Sequence, residues 1–220
     1  MKNNINKLLL ILSVILLFNS CIGMAIDIQM NNDGSGKLFL EYRISRILDG
    51  IGRLDGNESM PIIPAGRQDI ERTIQRIPGM KLLSYSNRQT EKDIIIGTNI
   101  EFNSPQALLA FLDPSGNRAS ITNNGQSGIF ELIIYNEGSA LNKFDENLME
   151  LMPSFFAGYD FTINFSAPGS SAMIITDADG NSISAPLSSV TTVQGRRVSL
   201  SMGVLDVITL SNGLGIKINW

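Results

Sequence analysis

Asp177-Ala178-Asp179-Gly180-Asn181 places two carboxylates two residues apart and follows them with an amide. Oxygen-rich runs of this kind are what hard cations such as calcium take as ligands. An EF-hand loop has its glycine at the sixth position and a glutamate at the twelfth. Here the glycine is fourth and the twelfth position is Ser188. The same five residues also read as a hairpin turn in which Asp-Gly supplies the positive φ, and that reading is preferred. Asp33-Gly34-Ser35-Gly36 is read the same way. Asp177 and Asp179 therefore stand as weak calcium candidates, and no cofactor is expected.

The rest of the catalytic inventory is empty. The chain has no histidine and one cysteine, which leaves out Ser-His-Asp and Cys-His arrangements and every His-ligated zinc site. No Gly-x-Ser-x-Gly elbow, phosphate loop or Ser-x-x-Lys dyad occurs. Gly50-Ile51-Gly52 lacks the third glycine and the strand-to-helix setting of a dinucleotide fingerprint. These absences point away from an enzyme.

The single cysteine, Cys21, sits where a targeting segment would use it. Lys2 and Lys7 make a positive start, and Leu8 to Phe18 is apolar except for Ser13. This is the layout of a secretory signal, assigned to residues 1–20. As a helix the apolar stretch spans about 17 Å at ~1.5 Å per residue, short of the roughly 30 Å of hydrocarbon. Removing the signal takes away Lys2 and Lys7, which leaves 15 of the 17 basic residues against 21 acidic ones, a net charge of −6. No basic stripe offsets that charge, so nucleic acid is not an expected partner.

Leu38, Leu40, Tyr42 and Ile44 alternate with Lys37, Glu41, Arg43 and Ser45, so Ala25–Met30 and Lys37–Ser45 read as a hairpin. A Gly- and Pro-rich loop follows over 48–66. Ile70, Ile74 and Ile77 then have helical spacing, closed by Pro78-Gly79. On the opposite side of that helix Gln68, Arg72 and Arg76 form a polar face, with Arg72 and Arg76 candidate contacts to lipid headgroups; a solvated outer face is the plainer reading. Met80–Ser86 and Ile94–Phe102 read as strands. Ser104-Pro105 begins a helix with Ser as N-cap and Pro as first helical residue, ended by Asp113-Pro114. Arg118–Thr122 and Ile129–Tyr135 are two more strands, and a helix is expected near 143–152.

Past Pro153 the texture becomes all-β. Tyr159, Phe161, Ile163 and Phe165 alternate with polar residues, and short strands follow, apart from a helical turn near Val204–Ile208. The order strand, helix, strand, strand, helix, strand predicts an α+β fold. The expected form is a split βαβ, ferredoxin-like antiparallel sheet with both helices on one face over residues 21–153. A β-rich part over 154–220 packs with it, with continuity into one domain as the alternative. Ile94-Ile95-Ile96 and Ile129–Tyr135 carry large apolar groups on both faces; cover by the C-terminal strands is expected, with an apolar groove as the alternative.

Leu17-Phe18-Asn19-Ser20-Cys21 resembles the lipobox of bacterial lipoproteins, in the relaxed form similar to that of spirochaetes: Phe18 and Asn19 stand where Leu and a small residue are usual. The wider layout also carries a resemblance. The cysteine precedes a strand with an Asn-Asp-Gly-Ser-Gly turn; a helix ends in Ile-Pro-Gly-Met; Asn99-Ile100-Glu101-Phe102 closes a strand before a helix; a Phe-rich strand leads to Pro168-Gly169; and the last strand ends in Trp220. This layout resembles the LppM-like bacterial lipoproteins of unknown function. The resemblance implies a non-enzymatic envelope protein, anchored to a membrane by lipid (palmitate among its chains) on Cys21, at the periplasmic or outer face. It also implies an envelope lipid or protein partner and no catalytic residues. The expected role is a binding or scaffold module; the alternative is a carrier of an apolar or lipid ligand in a pocket between sheet and helix.

Overall fold

The computed structural model describes residues 22–46, 66–135, 158–184 and 189–220. Cys21 and the signal segment 1–20, most of the loop over 48–66 and the helix expected at 143–152 lie outside the described residues.

The first elements form where local chemistry places them. β1 (Ile22–Met30) and β2 (Gly36–Ser45) pair antiparallel along their whole length, from Ile22 opposite Ile44 to Met30 opposite Gly36. Their turn is held by Asp33, whose Oδ1 accepts hydrogen bonds from the Ser35 amide at 3.0 Å and the Ser35 hydroxyl at 2.7 Å, and Gly34 supplies a φ of +81°. α1 (Arg67–Gln75) buries Ile70 and Ile74. β3 (Met80–Gln89) and β4 (Asp93–Phe102) follow as a hairpin with a bulge between Leu82 and Ser84. α2 (Pro105–Leu112) opens on Ser104, whose hydroxyl accepts the Ala107 amide hydrogen at 3.2 Å, with Pro105 in the first turn.

The remaining elements are β5 (Ala119–Asn123), β6 (Gly128–Tyr135), β7 (Asp160–Ser166), β8 (Ala172–Thr176), β9 (Val190–Gln194), β10 (Arg197–Gly203), α3 (Val204–Thr209) and β11 (Leu214–Asn219). They assemble into two sheets. One has seven strands in the order β3-β4-β2-β1-β7-β10-β9, and the other has four in the order β5-β6-β11-β8.

This corrects the expected ferredoxin-like α+β fold. The described chain is β-rich, with eleven strands and three short helices. β5 and β6 do not return to the sheet of β1 to β4; they pair with β11 and β8. The edge of β1 that a ferredoxin-like sheet would fill from its own half is taken by β7, in parallel, with Ile26 opposite Ile163 and Ile28 opposite Phe165. Nor do the helices share a face: α1 packs on the edge strand β3, while α2 packs chiefly on β5 of the other sheet. The second sheet buries Phe130, Leu132, Leu214, Ile216 and Ile218, against Ile70 and Ile74 of α1 and Ala107 and Leu108 of α2, and so supplies the larger apolar surface to the inner face.

The core lies between the sheets. Leu38, Ile96, Ile100, Phe102, Ile163, Phe165 and Leu200 of the large sheet meet Phe130, Leu214, Ile216 and Ile218 of the small one, all at 0–1% exposure. Phe130 of β6 stacks on Phe165 of β7 with ring centroids 5.1 Å apart, and Trp220 tilts onto Phe165 at 5.5 Å. The C-terminal strands extend both sheets instead of covering the second faces of β4 and β6. On those outer faces Ile95 is 7% exposed, between Arg43 and Arg88 of the neighbouring strands, while Ile129 is 36% exposed.

Candidate functional site

A groove of about 520 Å³ opens at one end of the small sheet, on its outer face. Its floor follows from the alternation of β6 and β11. Phe130, Leu132, Ile216 and Ile218 turn inward, which sends Glu131 and Lys217 outward, and the register sets them opposite each other. Lys217 Nζ donates to Glu131 Oε1 at 2.8 Å, and the Ser120 hydroxyl of β5 donates to Glu131 Oε2 at 3.0 Å. The Lys217 ammonium, with help from Ser120, holds the Glu131 carboxyl below its ordinary pKa.

Two loops wall the groove, each built around a buried aspartate. In the first, Asp113 ends α2, and its carboxylate accepts hydrogen bonds from the Ser115 hydroxyl (2.5 Å), the Ser115 amide (3.2 Å) and the Arg118 and Ala119 amides. The Ser115 hydroxyl bond and these amides bring Asp113 down to about 2. In the second, Asp177 Oδ1 accepts from the amides of Asp179 (3.0 Å) and Asn181 (2.8 Å), and Oδ2 accepts from Asn181 Nδ2 (3.0 Å). The Asn181 side chain leads the lowering of its pKa. Gly180 has a φ of +85°, so the loop is the Asp-Gly turn in which Asp177 is the acceptor.

Asp177 and Asp179 thus share a loop but not a role. The Asp177 oxygens are occupied by loop hydrogens, and Asp179 is exposed on the groove wall. Among the described residues no group of three or more Asp, Glu, Cys or His is placed to hold a metal. Arg72 and Arg76 are both exposed beyond the isoleucine face of α1, with Arg72 3.7 Å from Asp69 and Arg76 at the C-cap. They lie on the large sheet's side of the molecule, on a helix that does not line the groove.

Sequence reasoning did not single out Glu131, Lys217, Ser120 or Arg118. The available signal was one charge on each of two otherwise apolar strands, Ile129–Tyr135 and Leu214–Asn219. Chemically the groove offers an internally neutralised floor, the exposed Arg118 and Asp179 at its walls, and the hydroxyls of Ser120 and Thr176. Each carboxylate lowered in pKa beside the groove is already bonded to its own neighbours.

No protein-family model matches the chain, and no curated protein matches it. Among solved structures it is similar to the folded domain of LppM from Mycobacterium tuberculosis, with 9% identity, 91% of this chain and 89% of that one covered, and a TM-score of 0.42. Likeness at that level carries no residue role from one chain to the other.

Proposed function

We propose that this chain is an envelope lipoprotein, held to a bacterial membrane by lipid on Cys21, whose folded part is a non-enzymatic binding or scaffold module. The observation that carries the choice of module over carrier is the filled interface between the sheets. Phe102, Phe130, Phe165, Ile163, Leu200, Met202 and Leu214 are all below 2% exposure there. An apolar ligand needs a lined interior space of several hundred Å³, and these side chains occupy the layer where a sheet-lined pocket would form. The groove on the small sheet is open and polar-walled, the form of a surface that meets a partner. The empty catalytic inventory supports a non-enzymatic role.

The anchoring half of the reading rests on the signal layout and the lipobox resemblance. Diacylglycerol would give Cys21 two acyl chains, which is what stable attachment takes. The test is palmitate labelling and detergent partition of the full chain beside Cys21→Ser. The native chain should label and partition with detergent, and the variant should do neither as a processed form. A processed, detergent-partitioning Cys21→Ser protein would refute the anchor. Mass spectrometry of the purified protein separates module from carrier: a non-covalent lipid at one per chain would favour the carrier.

A further inference from the structure

The four sheet edges are not treated alike. β3 carries Lys81, Arg88 and a bulge between Leu82 and Ser84, and α1 packs on it. β8 is bridged at Thr176 by Ser182, and Ile175 O accepts the Ile183 amide hydrogen at 3.0 Å. β5 has α2 packed against it, and its first amide, that of Ala119, is taken by the Asp113 carboxylate. These are the ordinary defences of an edge: charge, a bulge, a covering element. β9, Val190-Thr191-Thr192-Val193-Gln194, has none of them among the described residues. It is uncharged, free of proline and unbulged, and every residue is exposed. Val190 at 61% and Val193 at 55% are more exposed than the other large apolar residues so described.

The register of β9 says what fits it. β9 and β10 join through the two-residue turn Gly195-Arg196, with Gly195 at φ +60°. A two-residue turn makes the flanking residues, Gln194 and Arg197, a mutually hydrogen-bonded pair. Bonding alternates along an antiparallel ladder, so Gln194, Thr192 and Val190 spend their backbone groups on β10. Thr191 and Val193 are left with N–H and C=O directed away from the sheet. A second β9 laid antiparallel, about a twofold axis through Thr192, sets Thr191 of each copy opposite Val193 of the other. All four outward groups of each strand are then met within the strand pair. The same pairing continues the core-side row. Val193 is opposite Val198 and Thr191 opposite Leu200 within one copy, with Val198 and Leu200 fully buried; across the axis Val193 gains Thr191 of the second copy as its neighbour. An uncharged strand meets itself without like-charge repulsion, so the occupant is self-complementary in backbone and side chain.

We propose that β9 is a docking edge for β9 of a second copy of this chain, joining two seven-stranded sheets across a twofold axis. Five residues a side are few beside the roughly 20–30 of a stable interface, so the pairing is reversible, with Kd between about 1 μM and 1 mM in solution.

The test uses the full chain in the cellular fraction that holds it. Thr192 lies on the axis in a non-hydrogen-bonded pair, where Cα atoms approach to about 4.5 Å and a disulfide can close. Oxidation should give Thr192→Cys a disulfide dimer that neither the parent chain nor the edge control Thr122→Cys forms. Two differently tagged copies should co-purify as the native chain. They should separate when both carry Thr192→Lys, and rejoin when one carries Thr192→Lys and the other Thr192→Asp. Far-ultraviolet circular dichroism checks that the variants fold. Equal cross-linking at 192 and 122, or co-purification indifferent to the charges at 192, would overturn the proposal. Separation of the native copies at every concentration up to the millimolar range would do the same.

Discussion

Phe165→Ala tests the joint between the two sheets most directly. Phe165 lies on β7, is fully buried, stacks on Phe130 at 5.1 Å and meets Trp220 at 5.5 Å. Truncating a buried phenyl costs about 3–5 kcal/mol through lost transfer energy and the cavity left behind. Two ring contacts, each worth about 0.5–1.5 kcal/mol beyond area burial, place this site toward the top of that range. Neither side can collapse easily, because Ile163 and Val198 beside it are held in ladders on both edges. Against a typical domain stability of about 5–15 kcal/mol, the variant should be strongly destabilised while still folding near 10 °C. The assay is urea unfolding of native and variant protein followed by Trp220 fluorescence, Trp220 being the single tryptophan. The midpoint should fall with little change in slope. Benzene should raise the melting temperature of the variant, by filling the dry cavity, and leave the native protein unmoved. A loss below about 1.5 kcal/mol would show that the sheets are not packed at this point. Benzene stabilisation of the native protein would reopen the carrier reading.

Three further outcomes follow from single side chains. Thr98 is 1% exposed on β4 and its hydroxyl has no hydrogen-bond partner among the described residues; the near-isosteric Thr98→Val should raise unfolding stability by about 1 kcal/mol, and a loss would reveal a hidden partner. Asp113 is lowered from 3.8 to about 2 by Ser115 and the loop amides, so its contribution is fully present above pH 4 and lost as pH falls toward 2. The stability gap between native protein and Asp113→Asn should therefore narrow from pH 4 to pH 2, and a gap that stays constant would mean the carboxylate charge is not what holds the loop. Calcium should give no binding heat at the groove, because Asp177 is already bonded to Asp179 and Asn181. A heat in the range of about 10⁻⁴–10⁻³ M that vanishes in the Asp177→Asn, Asp179→Asn double variant would make the turn a cation loop.

Local decisions, each made by neighbours a few residues apart, were legible along the chain. Asp33 and Gly34 set the first turn, Ser104 and Pro105 start α2, Ile70 and Ile74 choose the buried face of α1, and the alternation of Phe161, Ile163 and Phe165 chooses that of β7. The absence of histidine bounded the chemistry in the same direct way. Partner choice was decided only in three dimensions. A period of two tells a strand which face to bury but not which strand to pair with, since every backbone edge offers the same donors and acceptors. Nothing in Met24–Gln29 announces that β7 will lie parallel to it, and nothing in β5 and β6 announces that they will join β11 and β8 in a sheet of their own. The groove shares that origin. Glu131 and Lys217 are single charges on separate apolar strands until the β6–β11 register sets them opposite each other, and the two aspartate loops become walls only because β5 begins and β8 ends on the same side of that sheet.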